Sequence, residues 1–528
     1  MSSNTTQLAK SAGLISLATT LSRVLGLVRE QLIAHLFSRT ATDAFYVAFR
    51  IPNLLRDLFA EGAMSSAFVP TFTDYLHKRS REDAWQMAST VTNLLLVLLS
   101  LITLFGIVCS SWLVDKFAQH YRLVPGKFEM TVLMTQIMFP FLPMVALAAI
   151  AMGILNSHGR FFIPALAPAL FNVGSIAFAL ILNVWLPRYH VDPILGMAIG
   201  TLFGGLLQLL VQVPLLLGRG LNYYFSFDFR HPGVQKILLL MGPGTLGLAS
   251  NQINIFVNTW LATSQEEGAV SWLNYAFRLM HFPIGIFGVA IATAALPVFS
   301  THVSKAEPEE LRKAISSSLR MVFLLNVPAA VGLMFLSTPI ISLIYEHGRF
   351  GTKDTQATAA ALVFYSIGLF AYSAVKLLVP VFYALGHSRV PVIVSAAAVA
   401  SNIGLNLVLV GPMGYRGLAL GTSLTSVFNF FLLFHWLQKY AGSLQPMRIF
   451  GSFLKISVAS LIMGGVCFYV NQWLASHMIS DSLISKVFAL SGTIGIGLVS
   501  LFLSCRMLRI SEMESAARIL MRKISSQV

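Results

Sequence analysis

Five arginines stand out because they interrupt runs that are otherwise apolar: Arg23, Arg29, Arg50, Arg56 and Arg278. Glu30, Asp43, Asp57 and Glu61 lie among them, and Asp57 and Glu61, four residues apart, share one helix face. A guanidinium is a planar fork that grips carboxylate or phosphate oxygens in pairs, so two chemistries fit this set. One is a group of buried ion pairs that only hold helices together. Arg23 with Glu30, seven residues on and on nearly the same face, is a candidate for such a pair. The other is a cationic cavity for an anion, best a diphosphate.

Enzyme chemistry has little to stand on. There is no GxxxxGK[ST] loop, no HExxH and no calcium-loop spacing, and no clustered carboxylates that would hold Mg²⁺ for work on a polyprenyl diphosphate. Cys109, Cys467 and Cys505 sit in apolar runs without CxxC spacing and read as small core residues. No catalytic residue, metal or cofactor is expected, and any transport must run on an ion gradient (sodium or proton) or on membrane potential.

The elements that position these charges are membrane helices. Of 528 residues 56% are hydrophobic and 11% charged, far from globular composition. Runs such as LLLVLLSLITLFGIVCSSWLV (94–114) recur along the whole chain. They predict an all-α polytopic membrane protein with about fourteen spans. Span one is expected over 8–35, two over 42–76, seven over 234–262, eight over 268–303, ten over 355–386, thirteen over 449–473 and fourteen over 484–508. MSSNTTQLAK lacks the form of a secretory signal, so the first helix is expected to stay. The net charge of +15 follows topology rather than nucleic acid: Lys78, Arg79, Arg81, Arg219, Lys305 and Arg312 crowd the alternate loops that place both termini in the cytoplasm.

The chain also repeats itself. Ala48-Phe49-Arg50 returns as Ala276-Phe277-Arg278, NSHGRFFIP (156–164) as LGHSRVP (385–391), Asn172-Val173-Gly174 as Asn402-Ile403-Gly404, and GMAIGT (196–201) as GLALGT (417–422). Each copy holds six spans, so the copies lie the same way up, related by an axis along the membrane normal. The expected organisation is an N-terminal lobe over 1–217, a C-terminal lobe over 218–440, and spans thirteen and fourteen with a basic cytoplasmic tail over 441–528. Such lobes flank a cavity opened alternately to either face.

Depth makes the charges informative, since an ionisable group at mid-bilayer costs about 2.5–3.5 kcal/mol even on the mildest scale. Arg23 lies thirteen residues past Lys10, and Arg56 thirteen past Asp43, each roughly 20 Å along a helix in a core about 30 Å thick. Arg278 lies ten residues past Gly268. In the second repeat Asp43, Asp57 and Glu61 map to Ser271, Gly285 and Val289, which removes the acidic counterparts around Arg278 and favours the anion cavity. Arg23, Arg29, Asp43, Arg56 and Arg278 are the primary candidates. Glu30, Asn53, Glu61, His281 and Lys376 are secondary ones, and Pro52 and Pro283 are expected to bend spans two and eight beside the cavity.

SRVLGLVRE (22–30), ATDAFYVAFRIPNLLRDLFAEGAMSSAFVP (41–70) and SWLNYAFRLMHFPIGIFGVA (271–290) strongly resemble the signature segments of the MurJ (MviN) family, the lipid II flippases of bacterial peptidoglycan synthesis. The resemblance runs over nearly the whole chain. It implies the fold of the multidrug/oligosaccharidyl-lipid/polysaccharide exporter superfamily, two six-helix lobes about a cationic cavity, in the bacterial inner membrane. It implies that Arg23, Arg29, Asp43, Arg56 and Arg278 meet the head group of lipid II, and that spans thirteen and fourteen form a groove for its polyprenyl tail. Membrane lipids and the cell-wall synthesis machinery are the implied partners. Some members carry an acidic residue in the eighth-span motif where this chain has Phe277 and His281, which makes His281 a candidate titrating group. The competing expectation is an exporter of another polyprenyl-linked oligosaccharide, or of drugs, in the same superfamily.

Overall fold

The computed structural model describes residues 2–58, 63–477 and 482–514, and all regular structure among them is helical. Glu61 and the tail from 515 onward lie outside the described residues. The chain divides into two compact units, Met1–Ser271 and Trp272–Val528.

The first unit contains α1 (Ser2–Leu36), α2 (Arg39–Arg56), α3 (Ala63–Lys78), α4 (Arg81–Val108), α5 (Ser110–Phe117), α6 (Lys127–Met138), α7 (Phe141–Ser157), α8 (Phe162–Trp185), α9 (Leu195–Leu210), α10 (Val213–Leu217) and α11 (Pro232–Thr263). The start of α12 (Ala269–Pro283) also belongs to it. The second unit holds the rest of α12, then α13 (Val289–Ser304), α14 (Pro308–Phe335), α15 (Ser337–Tyr345), α16 (Thr352–Ser366), α17 (Leu369–Ala384), α18 (Arg389–Met413), α19 (Tyr415–Ala441), α20 (Pro446–His477) and α21 (Leu483–Met507).

Among the described residues ten helical stretches are long and apolar enough to cross a membrane, eleven if α16 and α17 form one span bent by 45°. The three further expected spans, one, two and seven, coincide with α1, with α2 and α3, and with α11, so the helix positions agree with the sequence reading. Serine caps set several starts by accepting an otherwise orphaned backbone N–H: Ser38 from Ala41 N at 3.3 Å for α2, and Ser80 from Asp83 N at 3.0 Å for α4.

Position 218 was expected to open the second lobe, yet α11 packs on α3 in the first unit, with Val234 and Ile237 buried in the core of Phe68, Phe72, Trp85 and Ile150. Its entry is tight: a Cβ at Gly233 would stand 2.4 Å from Met87 Sδ. Likewise α20 is no appendage, because Phe453 meets Phe323 of α14 and Phe370 of α17 at ring distances of 5.2 and 5.0 Å.

The duplicated GMAIGT and GLALGT segments have the same physical cause in both units. In α9 a Cβ at Gly200 would lie 2.8 Å from Ser175 O of α8, and in α19 one at Gly417 would lie 2.3 Å from Leu409 O of α18. Small residues there let helix backbones approach where lipid offers no hydrophobic drive.

Both prolines sit beside a widened helical turn. Residues 57–58, following α2 and its Pro52, are π-helical, and Pro283 ends α12 immediately before the π-turn Ile284–Gly288. A proline takes one N–H out of the helical ladder, and π-turns of this kind concentrate at functional sites.

Candidate functional site

In the first unit the charges of α1 and α2 form two clusters. Arg29 Nη2 donates to Glu30 Oε1 at 3.0 Å, and Glu30, wholly buried, accepts a second, short bond from the Tyr46 hydroxyl. The Arg29 guanidinium lies 5.4 Å from the Phe171 ring centroid, a cation–π contact that binds α1 to α8. The partner expected for Glu30 was Arg23; the structure instead gives it Arg29 and Tyr46. Arg23 is exposed on α1.

One helix along, Arg56 grips Asp57 Oδ1 through Nε at 3.1 Å and Nη2 at 2.8 Å. The other Asp57 oxygen accepts from Gln252 Nε2 at 3.0 Å and, at 3.4 Å, from Asn53 Nδ2. Arg56 and Asp57 are each about a fifth to a quarter exposed, so this pair keeps an open side. Asn53 and Arg56, both named from the sequence, meet here, and Gln252 of α11 completes the cluster.

Asp43 has a different task from the one expected. It is 2% exposed, and both oxygens are already engaged. Oδ2 accepts from Lys127 Nζ at 3.1 Å and Gly268 N at 2.8 Å; Oδ1 accepts from Ser271 N at 2.9 Å and the Ser271 hydroxyl at 2.7 Å. A carboxylate has about four acceptor positions, so nothing remains for a ligand. Asp43 is therefore corrected from a substrate contact to a positioning residue. It caps the first turn of α12, where orphaned N–H groups and the positive end of the helix dipole favour an anion. Gly268 reaches this arrangement at φ +102°, a backbone region that suits glycine. Lys127 is itself held 4.0 Å from the Tyr121 ring centroid.

The sequence carried a trace of this. Asp43 and Ser271 are matched positions of the duplication, and they are bonded to each other. Lys127 had no such trace, because it looked like one more loop cation.

In the second unit Arg278 is exposed on α12. His281 lies half-buried one turn on: its Nδ1 is 3.0 Å from Phe277 O, and its ring packs on Phe277 at 4.1 Å and Tyr372 at 5.6 Å. Lys376, exposed on α17, is close enough to act electrostatically on that ring. The start of α12 in this unit is held by a residue the sequence reading missed: Asp354, 1% exposed, accepts from the Trp272 indole N–H at 2.8 Å and from Gly351 N at 3.1 Å.

Helical spans, an internal repeat and arginines at membrane depth define a polytopic transporter. The fold alone is shared with a multidrug resistance MATE family transporter of the MOP superfamily in its inward-facing conformation, at TM-score 0.65 and 17% identity over 80% of this chain and 96% of that one. A solved structure described as lipid II flippase MurJ, inward closed conformation, matches at TM-score 0.78 with 28% identity, covering 94% of this chain and 99% of that one. In sequence, the chain is 33% identical over 503 residues to a probable lipid II flippase MurJ of Vibrio cholerae, spanning 94% of this chain and 95% of that protein. It is 37% identical over 457 residues to a lipid II flippase MurJ of Burkholderia cenocepacia, spanning 85% and 87%. The family model described as lipid II flippase MurJ matches residues 33–488, and the chain belongs to that family.

Proposed function

We propose that this chain moves lipid II from the cytoplasmic to the outer leaflet of the bacterial inner membrane, with both termini in the cytoplasm. The observation that carries the reading is the family match over residues 33–488, reinforced by relatives that align over nearly their whole length. It is a transport function and not a catalytic one: the substrate leaves chemically unchanged.

The head group of lipid II is a diphosphate bearing a sugar and a peptide, and Arg23, Arg29, Arg56 and Arg278 are the residues proposed to meet it. Arg29 and Arg56 rest on the carboxylates of Glu30 and Asp57, which keep the guanidinium charges compensated between substrates. A diphosphate carries more charge than one carboxylate and takes the same forked geometry, so it competes for these arginines while the pairs hold them in position. Asp43 fixes the first turn of α12 and so sets where that helix points. The polyprenyl tail stays in lipid while the two repeats rock about the head group. A potential positive outside favours outward movement of the anionic head group, with sodium or proton as the alternative coupling ion and His281 as the group through which a proton would act.

Drug export on the MATE pattern is the weaker reading, since a pocket for organic cations needs carboxylates in excess. Single substitutions Arg23→Ala, Arg56→Ala and Arg278→Ala, each expressed in a strain depleted of its own flippase, are expected to fail in supporting growth while reaching the membrane at normal levels. Growth with all three overturns the arginine cavity. A flat pH profile of head-group exposure in both the parent and His281→Gln removes His281 from the coupling scheme.

A further inference from the structure

A second basic site lies in the second unit. Arg320 of α14, Arg448, Ser452 and Lys455 of α20, and Arg509 and Glu512 beyond α21 line one cavity of about 230 Å³. Arg320, 9% exposed, pairs with Glu512, which is 7% exposed; this salt bridge joins α14 to the segment after α21 and forms the buried wall of the cavity. Among the described residues no carboxylate pairs with Arg448, Lys455 or Arg509.

Four cations converge here on one carboxylate. Arg448, Lys455 and Arg509 are exposed around the buried Arg320–Glu512 pair, so they present a net positive patch that attracts a further anion. Two more observations point to a ligand. The Ser452 hydroxyl is buried without a hydrogen-bond partner among the described residues, which leaves a donor facing no acceptor. Arg509 is the residue that closes α21: Ile510 N bonds back to Cys505 O at 3.0 Å, and Arg509 itself adopts φ +52°. That left-handed position is one glycine takes without strain. An arginine held there pays in backbone energy for a charge placed at the cavity, and strain of this kind concentrates at binding sites. Gln445, at φ +57°, makes a second such residue at the same end of α20, with its side-chain oxygen 3.5 Å from Arg448 Nη1.

We infer that this cavity binds the phosphate of an anionic phospholipid head group, at the membrane surface where α20 begins and α21 ends. The shared chemistry is a phosphate ester or free phosphate: forked donors from Arg448 and Arg509, a point charge from Lys455 and a hydroxyl from Ser452. The volume suits a head group phosphate and is too small for a sugar-peptide. Basic pockets between membrane helices on the cytoplasmic side are suited to anionic head groups, and the proposed orientation puts this end in the cytoplasmic leaflet. The acyl chains then lie along exposed Phe450 and Leu454 on α20.

The test uses the full chain in detergent, titrated with dioleoylphosphatidylglycerol, dioleoylphosphatidylcholine or inorganic phosphate, with bound lipid counted by native mass spectrometry and melting followed in parallel. Phosphatidylglycerol is expected to bind and raise the melting midpoint, and phosphatidylcholine to do neither. Binding should weaken about fivefold for each cation removed in Arg448→Gln and Arg509→Gly. Arg509→Gly also separates binding from folding: glycine relieves the left-handed backbone, so the lipid-free variant should melt no lower than the parent while binding lipid more weakly. Equal phosphatidylglycerol binding by the parent and the Arg448→Gln, Arg509→Gly double variant overturns the site. Equal effects of the two lipids overturn its charge selectivity. A full shift from inorganic phosphate alone, with no further effect of lipid, overturns the lipid assignment in favour of free phosphate.

Discussion

The helices α2 and α12 are matched copies of one ancestral segment, and they are anchored by different physics. In α2, Asp43 has its charge neutralised by Lys127 and shared with the N–H groups that open α12. At the matched position α12 carries Ser271, which donates to that same carboxylate. The next residue, Trp272, turns instead to Asp354, whose oxygens receive one indole and one backbone N–H. After duplication, one acidic residue serves both copies, and the second copy loses the need for its own. Along the two helices the same asymmetry persists: Arg56 meets Asp57, while Gly285 occupies the position equivalent to Asp57.

Breaking the Asp43–Lys127 pair is expected to cost more than weakening the bonds that Asp354 makes to Trp272 and Gly351. Lys127→Met leaves the Asp43 charge buried without its counter-ion and is expected to destabilise by about 3–5 kcal/mol in thermal unfolding. Adding Asp43→Asn should recover much of that loss. A double variant no better than Lys127→Met means the ion pair is not the source of the effect.

Tyr46→Phe removes one of two strong bonds to the buried Glu30 carboxylate and is expected to cost about 1.5–3 kcal/mol, read in the same assay. On the α12 side, Asp354→Asn keeps an oxygen for the Trp272 indole and weakens the acceptor for Gly351 N, so a loss of at least about 1 kcal/mol is expected. A loss at Asp354 equal to that at Lys127 would erase the distinction.

The smallest effect belongs to His231, the cap of α11. Its Nδ1 accepts from Gly233 N at 3.2 Å, which requires that nitrogen to be unprotonated, and burial holds the ring below the usual imidazole pKa. The folded state therefore binds protons less readily than the unfolded one. Its contribution is fully present above about pH 6.5 and declines as pH falls through the folded value. His231→Asn keeps an N-cap acceptor and should flatten melting temperature against pH between about 5 and 7 at a cost within about 1 kcal/mol.

The spans, the duplication and the arginine-rich segments were all legible in the amino-acid order, because each rests on local rules. Apolar length sets a membrane helix, and a repeat preserves Ala-Phe-Arg or Gly-Met-Ala-Ile-Gly-Thr at fixed offsets. Candidates on one stretch, such as Asn53 and Arg56, were found together for the same reason. That α11 packs on α3 was not legible, because the repeat count locates spans along the chain and does not tell which neighbours each one packs against.

The amino-acid order by itself determined the class of protein and where its membrane-length helices fall along the chain. Only the tertiary structure decided who pairs with whom. Glu30 chose Arg29 and Tyr46 over Arg23, Asp43 took Lys127 from 84 residues away, and Arg320 took Glu512 from 192. Helical periodicity says which residues share a face, but a partner on another helix depends on rotation, register and depth. In a bilayer those are fixed by packing, through contacts such as Gly204 on Phe171 and Gly417 on Leu409, that leave no local mark beyond a glycine.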